Sequence, residues 1–383
     1  MVTGSVHLKK GMFYMQIRFK DDSGKWKQKW KSTGLPEKGN KRKAEQMLKS
    51  WLDECNSEGG YKEPTKILFC DWVRDWVETS KPRLQATTYM GYMHLLTKHV
   101  YPYFQKSGLQ LKDITPATIQ QYYKLKADEG LGGNTITKQH AVIRSALQYA
   151  VKTKLIRDNP CDFVAKPKRK KFVAEFYNAD EIKKLLEVSK GTAVEVPIFI
   201  ASYFGLRRSE VLGCRWSAVS FTNKTLTVCH KVVRSIEDGK LVNIATDDLK
   251  TESSYRVLPL DERILEFLAV VKKQQEWNKR VCSSSYSLEH EDYICVNDVG
   301  VLLNPDYVSD SFSKILKRNG LKKIRYHDLR HSCASLLLSL GYSMKEIQEW
   351  LGHSNYQTTA NLYSHVDPRN KVAMIKGLAS ALE

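Results

Sequence analysis

Three short boxes and a tyrosine, spread over the C-terminal half of the chain, constrain it most. They are Gly205-Leu206-Arg207-Arg208-Ser209-Glu210, then Tyr326-His327-Asp328-Leu329-Arg330-His331-Ser332, then Leu351-Gly352-His353, with Tyr363 following in Asn361-Leu362-Tyr363. The second box sets His327 and Arg330 three residues apart, so on a helix they point from one face. Each residue alone is commonplace: a lone Arg usually lies on the surface, and a lone His or Tyr usually packs. Jointly they can act only if one domain gathers them, so the C-terminal part must fold as a single unit.

At 383 residues the chain is long enough for two or three domains with their own cores. Its apolar fraction of 42% is that of a globular protein. The formal charge of +19 suggests a polyanionic partner, nucleic acid first. Eight cysteines are scattered with no C-x-x-C pair, which signals neither a zinc ribbon nor a disulfide framework. They read as reduced thiols of a cytoplasmic protein. The N-terminus has no apolar core suited to a signal peptide. The most apolar stretch, Ala193 to Leu206, contains Glu195 and Pro197 and falls short of a membrane span, so it reads as a buried helix.

Along the chain, residues 1–64 read as a small antiparallel sheet backed by one amphipathic helix. Phe13, Met15, Ile17 and Phe19 alternate with Tyr14, Gln16, Arg18 and Lys20. After a turn at Asp22-Ser23-Gly24, Trp26, Gln28 and Trp30 alternate with Lys25, Lys27, Lys29 and Lys31. Ala44, Met47, Leu48, Trp51, Leu52 and Cys55 follow at helical spacing. A lysine row on a strand predicts a sheet laid against DNA, with Arg18 beside it. Residues 65–165 read as helical: Phe69, Trp72, Val73, Trp76 and Val77 form one stripe, Tyr89, Tyr92, Leu95, Leu96 and Val100 another. Thr115-Pro116 opens a helix, and Gly130, Gly132 and Gly133 precede one from about Thr135 to Val151.

Lys166-Pro167-Lys168-Arg169-Lys170-Lys171 belongs to a basic linker, 166–174, that would track a DNA backbone through Lys168, Arg169 and Lys170. Residues 175–383 form the largest unit. Asn178-Ala179-Asp180-Glu181 resembles a capping box, and a helix over Val194 to Phe204 ends at Gly205. Leu226 to Val233, Leu241 to Ile244, Tyr255 to Leu260 and Tyr293 to Val296 are short strand candidates. The expected fold class is multidomain: a β-sheet-plus-helix N-terminal domain, an all-α middle domain, and a mixed, mainly-α domain with a small antiparallel sheet.

The chemistry these residues suit is substitution at a phosphodiester. Arginine forks match pairs of phosphate oxygens, and fixed positive donors stabilise charge developing in the transition state. Arg207 and Arg330 are the candidates. Tyr363 can attack as a covalent nucleophile, giving a phosphotyrosine ester and a sugar hydroxyl; the ester keeps the energy of the broken bond, so rejoining needs neither ATP nor metal. His327 could accept the phenol proton, His353 could donate to a non-bridging oxygen, and Lys250, in Asp248-Leu249-Lys250-Thr251, could protonate the leaving hydroxyl.

These boxes resemble those of the tyrosine recombinases, the phage-type integrases. Gly205 to Glu210 is similar to the family's G-L-R-x-S-E, which gives the catalytic role to Arg207 rather than Arg208. His327-Asp328-Leu329-Arg330 resembles H-x-L-R, Leu351-Gly352-His353 resembles L-G-H, and Lys250 and Tyr363 fall where the family places its hairpin lysine and its nucleophile. The resemblance implies DNA strand cleavage and rejoining through a 3′-phosphotyrosine intermediate, with no cofactor, to integrate and excise a mobile element. It implies a catalytic domain at 175–383, a core-binding domain at 65–165 and an arm-binding domain at 1–64. That layout resembles integrases of temperate phages or integrative conjugative elements more than two-domain chromosome-dimer resolvases. Implied partners are double-stranded core-type and arm-type attachment sites, three further protomers in a homotetramer, an excisionase and a host DNA-bending protein. A stripe of Val372, Met374, Ile375, Leu378 and Leu382 would pack on a neighbouring protomer.

Rival readings differ in class. His327 and His331 have the i, i+4 spacing of a metalloprotease motif, with Asp328 in place of its glutamate and no marked third ligand. A type IB topoisomerase would share the chemistry without exchanging partners. A DNA-binding regulator would keep the fold and have no use for Tyr363.

Overall fold

A computed structural model describes residues 2–20, 24–57, 67–168, 175–237, 240–247, 255–352 and Ala379. The chain divides into two compact units, Met1–Ser80 with Leu95–Arg169, and Lys81–His94 with Lys170–Glu383. Among the described residues no helix is long and apolar enough to cross a membrane.

The first unit begins with β1 (Thr3–Lys9), β2 (Met12–Lys20), β3 (Trp26–Pro36) and α1 (Lys41–Ser57). The strands form an antiparallel sheet in the order β1-β2-β3. Alternation on β2 drives one face inward: Met15, Ile17 and Phe19 join Val2, Leu48 and Cys55 in a core closed by α1. Directly opposed residues of antiparallel strands share a face. Met15 faces Lys31, Ile17 faces Lys29 and Phe19 faces Lys27. The lysine row therefore lies on the face that α1 covers, along its uncovered edge strand, with the Lys31 ammonium 5.5 Å from the centroid of the Trp51 ring. The open face carries the other row, where Gln16, Arg18 and Lys20 oppose Trp30, Gln28 and Trp26. There the Gln16 amide donates to the Gln28 side chain, and the Lys9 ammonium sits 3.4 Å from the Trp30 ring centroid.

The chain continues through α2 (Phe69–Ser80), α3 (Ala86–Leu95), α4 (Tyr101–Ser107), α5 (Pro116–Asp128) and α6 (Gly133–Lys152). The stripe from Phe69 to Val77 is buried on α2, and the Trp72 indole donates to the Ala146 carbonyl of α6 at 3.0 Å. The second expected stripe splits. Leu96 and Val100 are buried, whereas α3, bearing Tyr89 and Tyr92, has no buried residue. Thr115 caps α5 in a capping box with Thr118. Gly133 opens α6 because the Lys168 carbonyl would lie 2.3 Å from any Cβ there, so the start of the basic linker is laid against that helix. Lys168 itself is exposed; Arg169 and Lys170 lie outside the described residues.

Besides α3, which falls in it up to His94, the second unit contains α7 (Ala179–Ser189), α8 (Glu195–Phe204), α9 (Arg208–Leu212), β4 (Val219–Ser220), β5 (Thr225–Val228), β6 (Lys231–Glu237), β7 (Lys240–Thr246), β8 (Arg256–Pro259), α10 (Glu262–Cys282), α11 (Pro305–Arg318), α12 (Asp328–Ser339) and α13 (Met344–Leu351). The Asn178–Glu181 capping box opens α7 as expected. Where one small sheet was expected there are two, β4-β5-β8 and the hairpin β6-β7. The strand expected over Leu226 to Val233 is broken at Cys229-His230, because His230 is buried and its carbonyl packs onto Gly213, where a Cβ would come within 2.5 Å. Tyr293 to Val296 makes only isolated bridges, Arg215 to Tyr293 and Val296 to Leu302. The core gathers Ile198, Phe204, Leu212, Leu258, Phe312 and Leu329 from helices and sheet alike.

Gly205 ends α8 at φ +60°, and a Cβ on it would lie 2.6 Å from Leu351 and 3.1 Å from the Cys333 sulfur. Gly191 has φ +70° with open space around it. Gly191→Ala should therefore lose only about 1 kcal/mol, from left-handed backbone strain. Gly205→Ala should lose about 2–4 kcal/mol, since overpacking adds to that strain. Urea midpoints of the two variants check this, and equal shifts would refute the packing role of Gly205.

Candidate active site

Arg207 stands at the N-terminus of α9, straight after the Gly205 turn. Its guanidinium donates to Glu210 Oε1 and, at 3.0 Å, to the Gly352 carbonyl that ends α13. Its backbone N–H donates to Glu210 Oε2 at 3.1 Å. Arg256, arriving on β8, donates to Glu210 Oε2 at 3.2 Å and to the Trp350 carbonyl at 2.8 Å. Arg330, on α12, donates to the Gly205 carbonyl at 2.8 Å. Three arginines from three distant segments thus meet around one carboxylate.

The burial of this group is uneven. Arg330 is 2% exposed and Glu210 3%, while the Arg207 side chain keeps 30% of its surface. Burial pushes the Glu210 carboxyl up, but the positive charges of Arg256 and Arg207 outweigh it and hold the group below the usual carboxylate range. Burial, aided by the charge of Arg207, lowers Arg330 to about 9, which still leaves it cationic at neutral pH. The cluster has three cations to one anion, so it retains surplus positive charge, with the partly exposed Arg207 on its rim. Such a site favours an anionic phosphodiester, and the further negative charge of its transition state, over any cationic ligand.

Arg208, the neighbour of Arg207, is used differently. It donates to the Pro305 carbonyl at 2.8 Å and to Ser309 Oγ at 2.6 Å, tying α9 to α11. Arg208 is thus committed to a contact between helices, while Arg207 joins Glu210.

His327 immediately precedes α12. Burial of its ring, then the positive fields of His331 and Arg330, lower its pKa to about 4. The residue as a whole is exposed, so solvent screens part of this effect; the flanking cations favour the neutral imidazole in either case. A neutral ring is the form that can accept a proton. The His327 and His331 rings are 5.4 Å apart, edge to face. Asp328, the base of the metalloprotease reading, is instead engaged by Arg325, whose guanidinium donates to both carboxylate oxygens at 2.6 and 3.0 Å. Among the described residues no group of three or more His, Cys, Asp or Glu side chains is set to hold a metal ion.

Of the six expected catalytic residues, Arg207, Arg330 and His327 fall in one region of the second unit. Lys250, His353 and Tyr363 lie outside the described residues, as does the stripe Val372, Met374, Ile375, Leu378 and Leu382. Glu210 and Arg256 were given no role from sequence, yet they brace the arginines. Glu210 sat in the first box; its ion pair with a residue on a later strand left no local signal.

Glu210→Gln should destabilise the second unit by about 3–5 kcal/mol, because it leaves buried guanidinia facing a neutral amide. Glu210, Asp328 and His327 all have folded pKa values below their unfolded ones. Their stabilisation is in full force above the unfolded values and is lost as pH falls through the folded ones. Wild-type stability should therefore decline below about pH 6.5, and more steeply below about pH 4.5. The steeper limb should flatten in Glu210→Gln. Denaturant midpoints against pH check it, and an unchanged acid limb would contradict the assignment.

Comparison with known proteins points the same way. Residues 175–370 match the phage integrase family, and residues 68–126 match the N-terminal SAM-like domain of phage integrases. A XerC-like tyrosine recombinase of Caldanaerobacter subterraneus subsp. tengcongensis is 27% identical over 323 residues, covering 81% of each chain. The ICEBs1 integrase of Bacillus subtilis is 27% identical over 301 residues, covering 77% of this chain and 78% of its own. Among solved structures, the Tn1549 transposon integrase in complex with transposon right-end DNA superposes with a TM-score of 0.67 at 19% identity, covering 82% of this chain and all of that one. The lambda integrase tetramer bound to a Holliday junction gives 0.57 at 17% identity, covering 93% and 94%. These superpositions show the fold. With over half of its length matched by that family and the braced arginines inside the matched region, the chain belongs to the phage integrases, the site-specific tyrosine recombinases.

Proposed function

We propose that the recombinase cleaves and rejoins DNA strands at attachment sites through a 3′-phosphotyrosine ester on Tyr363, integrating and excising a mobile element. The observation that carries this reading is the surplus-cation cluster of Arg207, Arg330 and Arg256 around Glu210. Arg207 and Arg330 clamp the non-bridging oxygens of the scissile phosphate. The Tyr363 oxygen attacks phosphorus as neutral His327 takes its proton; the bond to the 5′ oxygen breaks, and Lys250 supplies the proton that makes a free 5′-hydroxyl. Attack of a new 5′-hydroxyl on the ester reverses every step. His353 donates to a non-bridging oxygen. It is the next residue after Gly352, whose carbonyl Arg207 holds, and consecutive Cα atoms are about 3.8 Å apart.

The layout proposed for the chain is an arm-type DNA-binding domain at 1–64, a core-binding domain at 65–165, a basic linker at 166–174 and the catalytic domain at 175–383. On the first of these the open sheet face suits base reading, with Gln16, Gln28 and Arg18 able to form paired hydrogen bonds to base edges. Lys25, Lys27, Lys29 and Lys31, along the edge strand, suit the phosphate backbone. Assembly is read as a tetramer on two core sites, aided by an excisionase and a host DNA-bending protein; the lambda integrase of similar fold forms a tetramer bound to a Holliday junction. An apolar groove of about 270 Å³, lined by Ile182, Leu186, Tyr203, Leu336, Leu337 and Leu340, supports docking of the 372–382 stripe of a neighbouring protomer.

The deciding experiment uses a nicked suicide duplex carrying the element's own end sequence, in EDTA. The wild type should give a protease-sensitive covalent protein–DNA band, and Tyr363→Phe should bind the duplex and give none. An adduct in the variant would move the nucleophile elsewhere; none in the wild type despite binding would favour a regulator. Truncation before Lys66 should leave core-site cleavage intact and abolish integration into full attachment sites. Integration at wild-type frequency by the truncated chain would remove the arm-binding role.

A further inference from the structure

A second polar cluster in the catalytic unit has no part in the roles above. His230 is 3% exposed. Its Nδ1 lies within hydrogen-bond distance of Asp247 Oδ1, and its Nε2 lies 2.9 Å from Arg215 Nη2 and 2.9 Å from the Tyr293 hydroxyl. Arg215 Nη2 also donates to that hydroxyl at 3.1 Å, and its Nη1 lies 3.6 Å from Asp247. Arginine offers only donors, so Nε2 must present its lone pair. The ring proton is then on Nδ1 and is donated to the Asp247 carboxylate.

Three members of this cluster stand on fixed backbone. Arg215 lies three residues after the end of α9 and bridges to Tyr293; the Trp216 N–H donates to the Asp292 carbonyl at 2.7 Å and the Ile294 N–H to the Cys214 carbonyl at 3.0 Å. The His230 backbone is pressed against Gly213. Asp247 is the exception. Its side chain is 76% exposed, and it follows the last residue of β7. A solvent-facing carboxylate gains little from an ordinary surface ion pair, yet here a buried imidazole and a guanidinium converge on it. Lys250 comes three residues later in the chain, a span of at most about 11 Å.

We propose that Arg215, His230, Tyr293 and Asp247 form a positioning cluster that fixes the point from which Lys250 is delivered to the leaving 5′ oxygen. The proposal rests on Lys250 being the general acid. The cluster touches no reacting atom; it governs the distance over which the Lys250 proton must travel. Since α9 has Arg207 at one end and leads into Gly213 and Arg215 at the other, Arg207 and the cluster share one short strut.

The test compares full-length variants on two suicide duplexes, one with the natural scissile phosphodiester and one with sulfur replacing its bridging 5′ oxygen. A thiol has a pKa of about 8.5, so a thiolate leaves without a proton and loss of the acid no longer matters. Lys250→Ala should lose roughly 10²–10⁴-fold on the oxygen substrate and recover on the sulfur one. Asp247→Ala and His230→Leu should lose on the order of 10–100-fold and recover in the same way. Asp247→Asn, which keeps an acceptor for Nδ1–H, should stay close to wild type on both. If Lys250→Ala recovers and Asp247→Ala does not, or if Asp247→Ala cleaves the oxygen substrate normally, the proposal is wrong while the Lys250 reading stands. If Lys250→Ala fails to recover, Lys250 is not the acid and the proposal falls with it.

Discussion

Everything in the catalytic unit depends on one buried carboxylate among arginines. Guanidinia taken out of water carry a large desolvation cost and repel one another. Glu210 offsets both at a single point, with Arg207 and Arg256 bonded to it and Arg330 in its field. For the proposed phosphate clamp to work, the cluster must hold net positive charge before the phosphate arrives. One acid among three bases is enough to keep the fold together and too little to neutralise it. The carbonyls of Gly205, Gly352 and Trp350 take up further donors, so the cations are oriented by neutral groups that do not cancel their charge.

That arrangement explains why two glycines end helices here. Gly205 and Gly352 adopt left-handed conformations at the C-termini of α8 and α13, where helices leave carbonyls without internal partners. Those carbonyls carry the negative ends of the helix dipoles and are the ones that Arg330 and Arg207 bind. Chain reversal and arginine orientation are therefore one feature, and α9, only five residues long, transmits it to the sheet side of the unit.

The candidate boxes and the helix caps were legible because each is local: Arg207 at a helix start after glycine, His327 and Arg330 three residues apart, the Asn178 and Thr115 caps. What escaped was non-local. Leu226 to Val233 reads as one strand because its apolar pattern is continuous, and only the contact of His230 with Gly213 and its capture by Arg215 and Tyr293 break it. The alternation on β3 revealed two rows, but which row faces α1 is settled by pairing with β2, whose apolar residues claim that side. Arg256 could not be read as a brace for Glu210 because its partner lies on another segment.

The same register argument changes the physical picture of the N-terminal sheet. A lysine row alone recognises phosphate by charge, without regard to sequence. Placing that row on the edge beside α1 leaves the broad face to Gln16, Gln28 and Arg18, groups whose paired donors and acceptors match base edges. Lys9 and Lys20 fold over Trp30 and Trp26 on that face, which holds the rings in place and keeps the ammonium groups available at the rim. For the arm-type DNA-binding role proposed for this sheet, charge at the edge and hydrogen-bonding amides at the centre would divide the labour, phosphates meeting the one and base edges the other.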